Sequence, residues 1–170
     1  MRLIESLTWS TVALLVGCAG ASHHQANAAP ASEAGADIVR IRKATRPFQS
    51  LDRAVKAGYA AQVNACIAHP RHGVMGFHHA NRALLDDKLE IDHPEILVYE
   101  RMADSSYVLN GVEYIVPFTV HPREKAPPVI LGQQLKPANE LGLWYLHVWA
   151  WKENPAGMFA DWNPDVACRS

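Results

Sequence analysis

The sequence predicts an α+β domain, with a curved antiparallel sheet packed against an N-terminal helix and closed by a C-terminal wrap. Three observations predict it. A stretch of helical period at 36–57 precedes several strand-like runs. Two of those runs are close enough in sequence to form an antiparallel hairpin. The chain then ends in a segment rich in Asn-Pro steps that carries Cys168, with a possible partner near the start of the domain at Cys66.

In order along the chain, Ile41, Ala44, Phe48, Leu51 and Val55 recur at spacings of three and four, one face of an amphipathic helix. Pro47 lies inside that pattern and predicts a kink or two short helices. Gly58 suits the position just past a helix end. Residues 59–67 read as extended, and 69–73 (His-Pro-Arg-His-Gly) as a turn. The Gly-containing segment 74–81 carries His78 and is expected to cross the open face of the sheet. Candidate strands follow at 95–102, 107–120 and 143–152. Residues 103–106 make the first two a hairpin, Asn110-Gly111 marks a bulge or turn, and a Pro-rich loop fills 121–142.

Strand alternation carries the functional reading. In the last strand Leu146, Val148 and Ala150 share one face, while Tyr145, His147, Trp149 and Trp151 share the other. In the strand before it, Val112, Tyr114, Val116 and Phe118 lie opposite Glu113 and Ile115. With the aliphatic faces under the helix, Glu113 and His147 meet on an aromatic-lined concave face, and His78 approaches it from the crossing segment. Glu100 is the fourth candidate, as ligand or supporting group, although a slip of one residue exchanges it for Glu95. Two imidazoles with one or two carboxylates suit Zn, Cu or Fe by ligand type. Such a site is expected to weaken below about pH 6, because imidazole ligates only when neutral. The competing reading makes His147 and Glu113 a buried hydrogen-bonded pair that orients strands. The sequence names no nucleophile and no substrate pocket.

His79 reads as structural or exposed, and His69, His72, His93 and His121 sit in turns as solvated groups. Four of the five tryptophans lie from Trp144 onward, and most of them read as core. Tyr145, Trp149 and Trp151 are the candidates for a ligand-binding face. From these comes a second functional class, a metal-free binding or interaction domain for a small apolar ligand or a protein partner.

The charge balance, −1 for the whole chain, leaves no basic stripe for nucleic acid and names no protein partner. At the N-terminus, the apolar run 7–16 is too short to span a bilayer and suits the core of an export signal. Its end, Leu15-Val16-Gly17-Cys18, resembles the lipobox of bacterial lipoproteins. The resemblance implies cleavage after residue 17, lipid on Cys18, and a membrane partner through that lipid. It places the protein in the cell envelope, at the outer membrane facing the periplasm in a Gram-negative host. Residues 18–35 read as a flexible tether and 36–170 as one domain. In an oxidising compartment the remaining cysteines, Cys66 and Cys168, are expected to form a disulfide. Closing a loop of about 100 residues is worth roughly 4–5 kcal/mol in the chain-entropy model.

Four segments of the domain, GVMGFHHAN at 73–81, PEILVYE at 94–100, GVEYIV at 111–116 and 144–168 with its LHVWAWKENP core, resemble a family of uncharacterised exported bacterial proteins. The resemblance covers most of the mature domain. It aligns His78, not His79, with the histidine of a Met-Gly-x-His motif and sets Glu100, Glu113 and His147 in recurring motifs. It implies no activity.

Overall fold

The computed structural model describes residues 31–169. The signal segment 1–17, Cys18 and the tether up to residue 30 lie outside the described residues. Helix α1, Ala31–Thr45, starts five residues before the expected position, within the stretch read as tether. A 3-10 turn follows at Arg46–Gln49, with Pro47 at its start, and then the short helix α2, Leu51–Lys56. The expected interruption at Pro47 is therefore present, and it resets the helical phase. Ile38 and Ile41 on α1 and Ala54 on α2 are buried, whereas Val55, expected on the same stripe, is exposed. Gly58 follows α2 at φ +105°.

The main sheet contains β1 (Ala61–Gln62), β2 (Ile67–His69), β3 (Gly73–Ala80), β4 (Ile96–Arg101), β5 (Tyr107–Pro117), β8 (Lys136–Ala138) and β9 (Leu143–Val148). Its order is β1-β3-β4-β5-β9-β8, with β2 also on β3, and every pairing is antiparallel. Two further strands, β6 (Val129–Ile130) and β7 (Gln133–Gln134), pair separately inside the loop expected at 121–142. The β4–β5 register breaks at Val98/Tyr99, so that Val98 faces Gly111 and Tyr99 faces Leu109. Asn110 is the extra residue, which makes the Asn-Gly step a bulge.

The period-2 pattern separates two faces. Leu97, Tyr99, Val112, Tyr114, Val116, Leu146 and Val148 pack with Ile38, Ile41 and Ala54 in the main core. Ala80, Ile96, Val98 and Ile115 form a smaller cluster on the opposite face, beside Tyr145.

Segment 74–81 departs from expectation. It is the paired strand β3, held between β4 and the short strands β1 and β2. Two glycines and two histidines in eight residues hide its alternation. Gly73 adopts φ +104°, and a Cβ there would meet the Asn163 carbonyl oxygen at 2.2 Å. That close approach permits the two backbone bonds between Val74 and Asn163, both 3.0 Å, which fasten the C-terminal segment to β3. Cys66 and Cys168 are joined by a disulfide. No helix among the described residues is long and apolar enough to cross a membrane.

Candidate metal centre

Glu113 on β5 and His147 on β9 are cross-strand partners, so their side chains leave the sheet on the same face. His78 lies on β3, three strand steps from β9 in the sheet order. In a flat sheet three steps span about 14 Å. The imidazoles nevertheless meet, with His78 Nε2 2.9 Å from His147 Nε2. The sheet therefore curls around this point. His78 is in register with Val98 and then Gly111, two positions from Glu113, the partner of His147, and Gly111 adds no side chain to the concave face.

The Glu113 carboxylate completes the cluster. Its Oε2 is 3.8 Å from His78 Nε2 and its Oε1 is 3.7 Å from His147 Nε2. Both separations exceed hydrogen-bond length. Four ligands at about 2.0–2.1 Å around one ion stand about 3.3 Å apart at tetrahedral angles, so spacings of 2.9–3.8 Å bracket that edge. The three residues are buried, at 3 %, 7 % and 1 % exposure for His78, Glu113 and His147. One donor atom from each lies within 4.8 Å of the others.

Protonation follows from the neighbours. Asn64 Oδ1 accepts from the His78 backbone N–H at 3.2 Å, so that atom is the amide oxygen. The same oxygen is 3.1 Å from His78 Nδ1, which must then donate to it. His78 is thereby fixed with its proton on Nδ1 and a lone pair on Nε2. This is how a second partner sets the tautomer of a ligating histidine. The lone pair accepts from the His147 Nε2–H at 2.9 Å; a metal ion would take the place of that proton, sending it to His147 Nδ1. Burial lowers the pKa of His78 to about 4, against the opposing pull of the Gly76 carbonyl. Burial, then His78 and Lys136, holds His147 well below the ordinary histidine range. Burial, reinforced by Asp161, pushes Glu113 up to about 8. Two imidazoles kept neutral beside a carboxylate without a hydrogen-bond donor among the described residues form a donor set that a cation would satisfy.

The other expected site residues separate from this cluster. Glu100 accepts from Asn110 Nδ2 (3.1 Å), Lys152 Nζ (3.0 Å), Arg169 Nη1 (3.2 Å) and the Ala167 backbone N–H (3.2 Å). Burial opposes these bonds, but their sum keeps its pKa below the usual value. It anchors the C-terminal segment rather than joining the three donors. Tyr145 shares the face of the cluster, donating to Asp161 Oδ2 at 3.2 Å beneath the Lys136 ammonium, which itself pairs with Asp161. Trp149 is buried edge-on to His147, with ring centroids 5.5 Å apart, and its Nε1 donates to the Ala160 carbonyl.

Trp151 lies on the other side. β9 stops at Val148, the Ala150 N–H turns back to the Val148 carbonyl, and the Trp151 indole donates to Thr45 Oγ1 of α1 at 2.9 Å. The strand expected to run to 152 therefore ends early, and with it Trp151 leaves the expected ligand face. His79 is buried against Tyr99 and Tyr107. His72 and His93 are exposed, and His69 and His121 half-buried.

One polar residue escapes the sequence reading, and a second, Glu95, enters it only as the alternative to Glu100. Asn64 lies in a short irregular stretch, and its only signal is its place two residues before Cys66. Glu95, just before β4, is 1 % exposed and accepts from the Ile115 backbone N–H at 3.0 Å. Burial raises its pKa to about 8.

Fold and site together define a small α+β domain, mostly sheet, with a buried cluster of two histidines and one carboxylate on the concave face. No family of known proteins, curated protein or solved structure matches the chain.

Proposed function

We propose that this chain is a lipid-anchored protein of the bacterial cell envelope that binds a transition metal through His78, Glu113 and His147. The observation that carries the metal reading is the convergence of three buried donors from three strands at spacings too long for hydrogen bonds to Glu113 yet suited to one ion. A set of two histidines and one carboxylate is used for Zn with an open position and for non-haem Fe. We read the C-terminal segment as the cover that keeps this face dry. Trp149 is buried beside His147, packed with Val74 and Val166, and Trp151 is on the far face, so the aromatic-platform alternative draws no comparable support.

Elemental analysis of the whole protein, purified without a histidine tag, is the test. The expected result is about one Zn, Fe or Cu per chain, lost in His147→Ala. A metal content near zero after loading with each ion would end the reading.

The anchor rests on the apolar run that ends at Leu15-Val16-Gly17-Cys18. Cys18→Ser is expected to abolish incorporation of labelled fatty acid and to move the protein out of the membrane fraction. A wild-type protein carrying no label would refute the anchor without touching the metal site.

A further inference from the structure

We infer that the Cys66–Cys168 disulfide acts through Asn64 to set the orientation in which His78 presents Nε2 to the metal, so that metal affinity depends on the redox state of this cysteine pair. The inference rests on the metal reading above and adds its regulation.

A continuous set of contacts carries it. At one end, Glu100 receives the Ala167 N–H and the Arg169 guanidinium, the two residues that flank Cys168. The disulfide then passes to Cys66, which packs against Val74, Trp149 and Val166. Two residues earlier, Asn64 receives both N–H groups of His78 on its side-chain oxygen. Between the end of β1 at Gln62 and the start of β2 at Ile67, no strand pairing fixes the chain. Residues 63–66 are held to β3 by the Val63 N–H on the His78 carbonyl, at 3.0 Å, to Gln62 by its Nε2 on the Asn64 carbonyl, at 3.0 Å, and to the C-terminal segment by the disulfide on the other side of Asn64.

The consequence for the metal is chemical. With Asn64 in place, the proton of His78 stays on Nδ1 and the Nε2 lone pair faces Glu113 and His147. When Asn64 moves away, the ring is free to put its proton on Nε2, and that form cannot ligate there. Reduction is ordinary thiol–disulfide exchange with a dithiol reductant. One thiolate attacks a cystine sulfur, its second thiol resolves the mixed disulfide, and the products are two thiols on the protein and one oxidised reductant. Glu100, which stands apart from the three donors, gains a role as the anchor of this clamp.

The test measures Co2+ binding, by visible absorption of the bound ion, in the oxidised whole protein and four variants. Asn64→Leu is expected to weaken binding about 10–100-fold, the usual cost of losing a partner of a ligating histidine. Asn64→Asp keeps an oxygen acceptor for both N–H groups and is expected to retain the affinity and the spectrum. Cys66→Ser with Cys168→Ser, which offers no thiol to the metal, is expected to lose affinity in the same range. Adding Asn64→Leu to that pair should cost nothing further, because both changes break one path.

A serine pair that binds Co2+ as tightly as wild type, or losses that add, would overturn the inference. Failure of the wild type itself to bind any ion would instead sink the metal reading. Should the serine pair not fold, 15N NMR of His78 in oxidised and dithiol-reduced wild type decides. A tautomer fixed as Nδ1–H in the first and mixed in the second is expected, and an unchanged tautomer refutes the coupling.

Discussion

On the helix-facing side of the sheet, Tyr59, Tyr99 and Tyr114 donate to the carbonyls of Pro94, Phe48 and Ile91 at 2.8, 2.7 and 2.7 Å. On the opposite side, Glu113 is 7 % exposed against 0–4 % for these tyrosines, has no hydrogen-bond donor among the described residues, and faces two neutral imidazoles instead. Burying a hydroxyl is inexpensive once one carbonyl accepts from it, and the fold supplies that carbonyl from its own backbone. A buried carboxyl group ionises only beside a donor or a cation, and because this face supplies neither within hydrogen-bond reach, Glu113 is held as the acid up to about pH 8. The contrast separates polar groups that the fold satisfies from polar groups that await a ligand.

The comparison breaks most sharply by substitution on each face. Glu113→Gln and His147→Ala are expected to lower Zn2+ affinity on the order of a thousandfold, since each removes one of three protein ligands. Tyr114→Phe on the helix side is expected to cost about 1 kcal/mol in denaturant unfolding and to leave Zn2+ binding unchanged. Chelator-competition titrations and urea melts read the two effects separately. Equal metal affinity in Glu113→Gln and wild type would erase the distinction between the faces.

The pH dependence sharpens it further. Glu113, held up to about 8, carries its proton at neutral pH and must release it to ligate. Apparent Zn2+ affinity should therefore fall about tenfold per unit as pH drops below about 8, with one proton released per ion bound. His78, at about 4, stays neutral through this range and contributes nothing to the fall. Burial of the carboxylate thus moves the onset upward from the value near 6 expected of exposed imidazoles. Competition titrations between pH 6.5 and 8.5 would show it, and a flat affinity would contradict it.

Much of this was legible in the sequence, for local reasons. Alternation in β5 and β9 put Glu113 and His147 on one face because a strand has period 2 whatever surrounds it. The break at Pro47 and the bulge at Asn110 follow from one residue's backbone chemistry. The rest is long-range. That His78 reaches His147 across three strand steps depends on the curl of the whole sheet. Trp151 changes sides because β9 ends at a tight turn after Val148. Glu100 alternates correctly along β4, yet cations and a backbone N–H from residues 152–169 draw it into a different cluster. Asn64 is defined only by what it touches fourteen residues later.

Glu95 is a smaller test of the same logic, since it is a buried carboxylate whose need is met by a backbone N–H. Burial raises its folded pKa to about 8, so between the ordinary glutamate range and pH 8 the folded state holds a proton that the unfolded chain has lost. Stability contributed by this group is thus fully present below the unfolded pKa and declines as pH rises towards 8, by at most about 1.4 kcal/mol per pH unit. Glu95→Gln keeps an oxygen for Ile115 and should flatten that decline, with melts at pH 5 nearly unchanged. A variant as pH-sensitive as wild type would place the titration elsewhere.

The smallest expected effect comes from an exception on the helix side, the one found among the described residues. His79 is 6 % exposed and stacks edge-on against Tyr99 and Tyr107, with ring centroids 5.4 and 6.5 Å away. Neither ring nitrogen has a hydrogen-bond partner among the described residues. The nearby Tyr59 carbonyl favours a proton on the ring without reaching hydrogen-bond geometry, and burial outweighs it and lowers the pKa. Two unsatisfied nitrogens in an apolar, aromatic setting cost more than an aliphatic group of similar size. His79→Leu is therefore expected to raise stability by about 1 kcal/mol, with Zn2+ affinity unchanged because His78 and His79 point to opposite faces of β3. Urea denaturation of the two proteins at pH 7 measures the first expectation and chelator competition the second. A loss of stability in His79→Leu would mean that these nitrogens do have a partner, and the helix side would then hold no exception among the described residues.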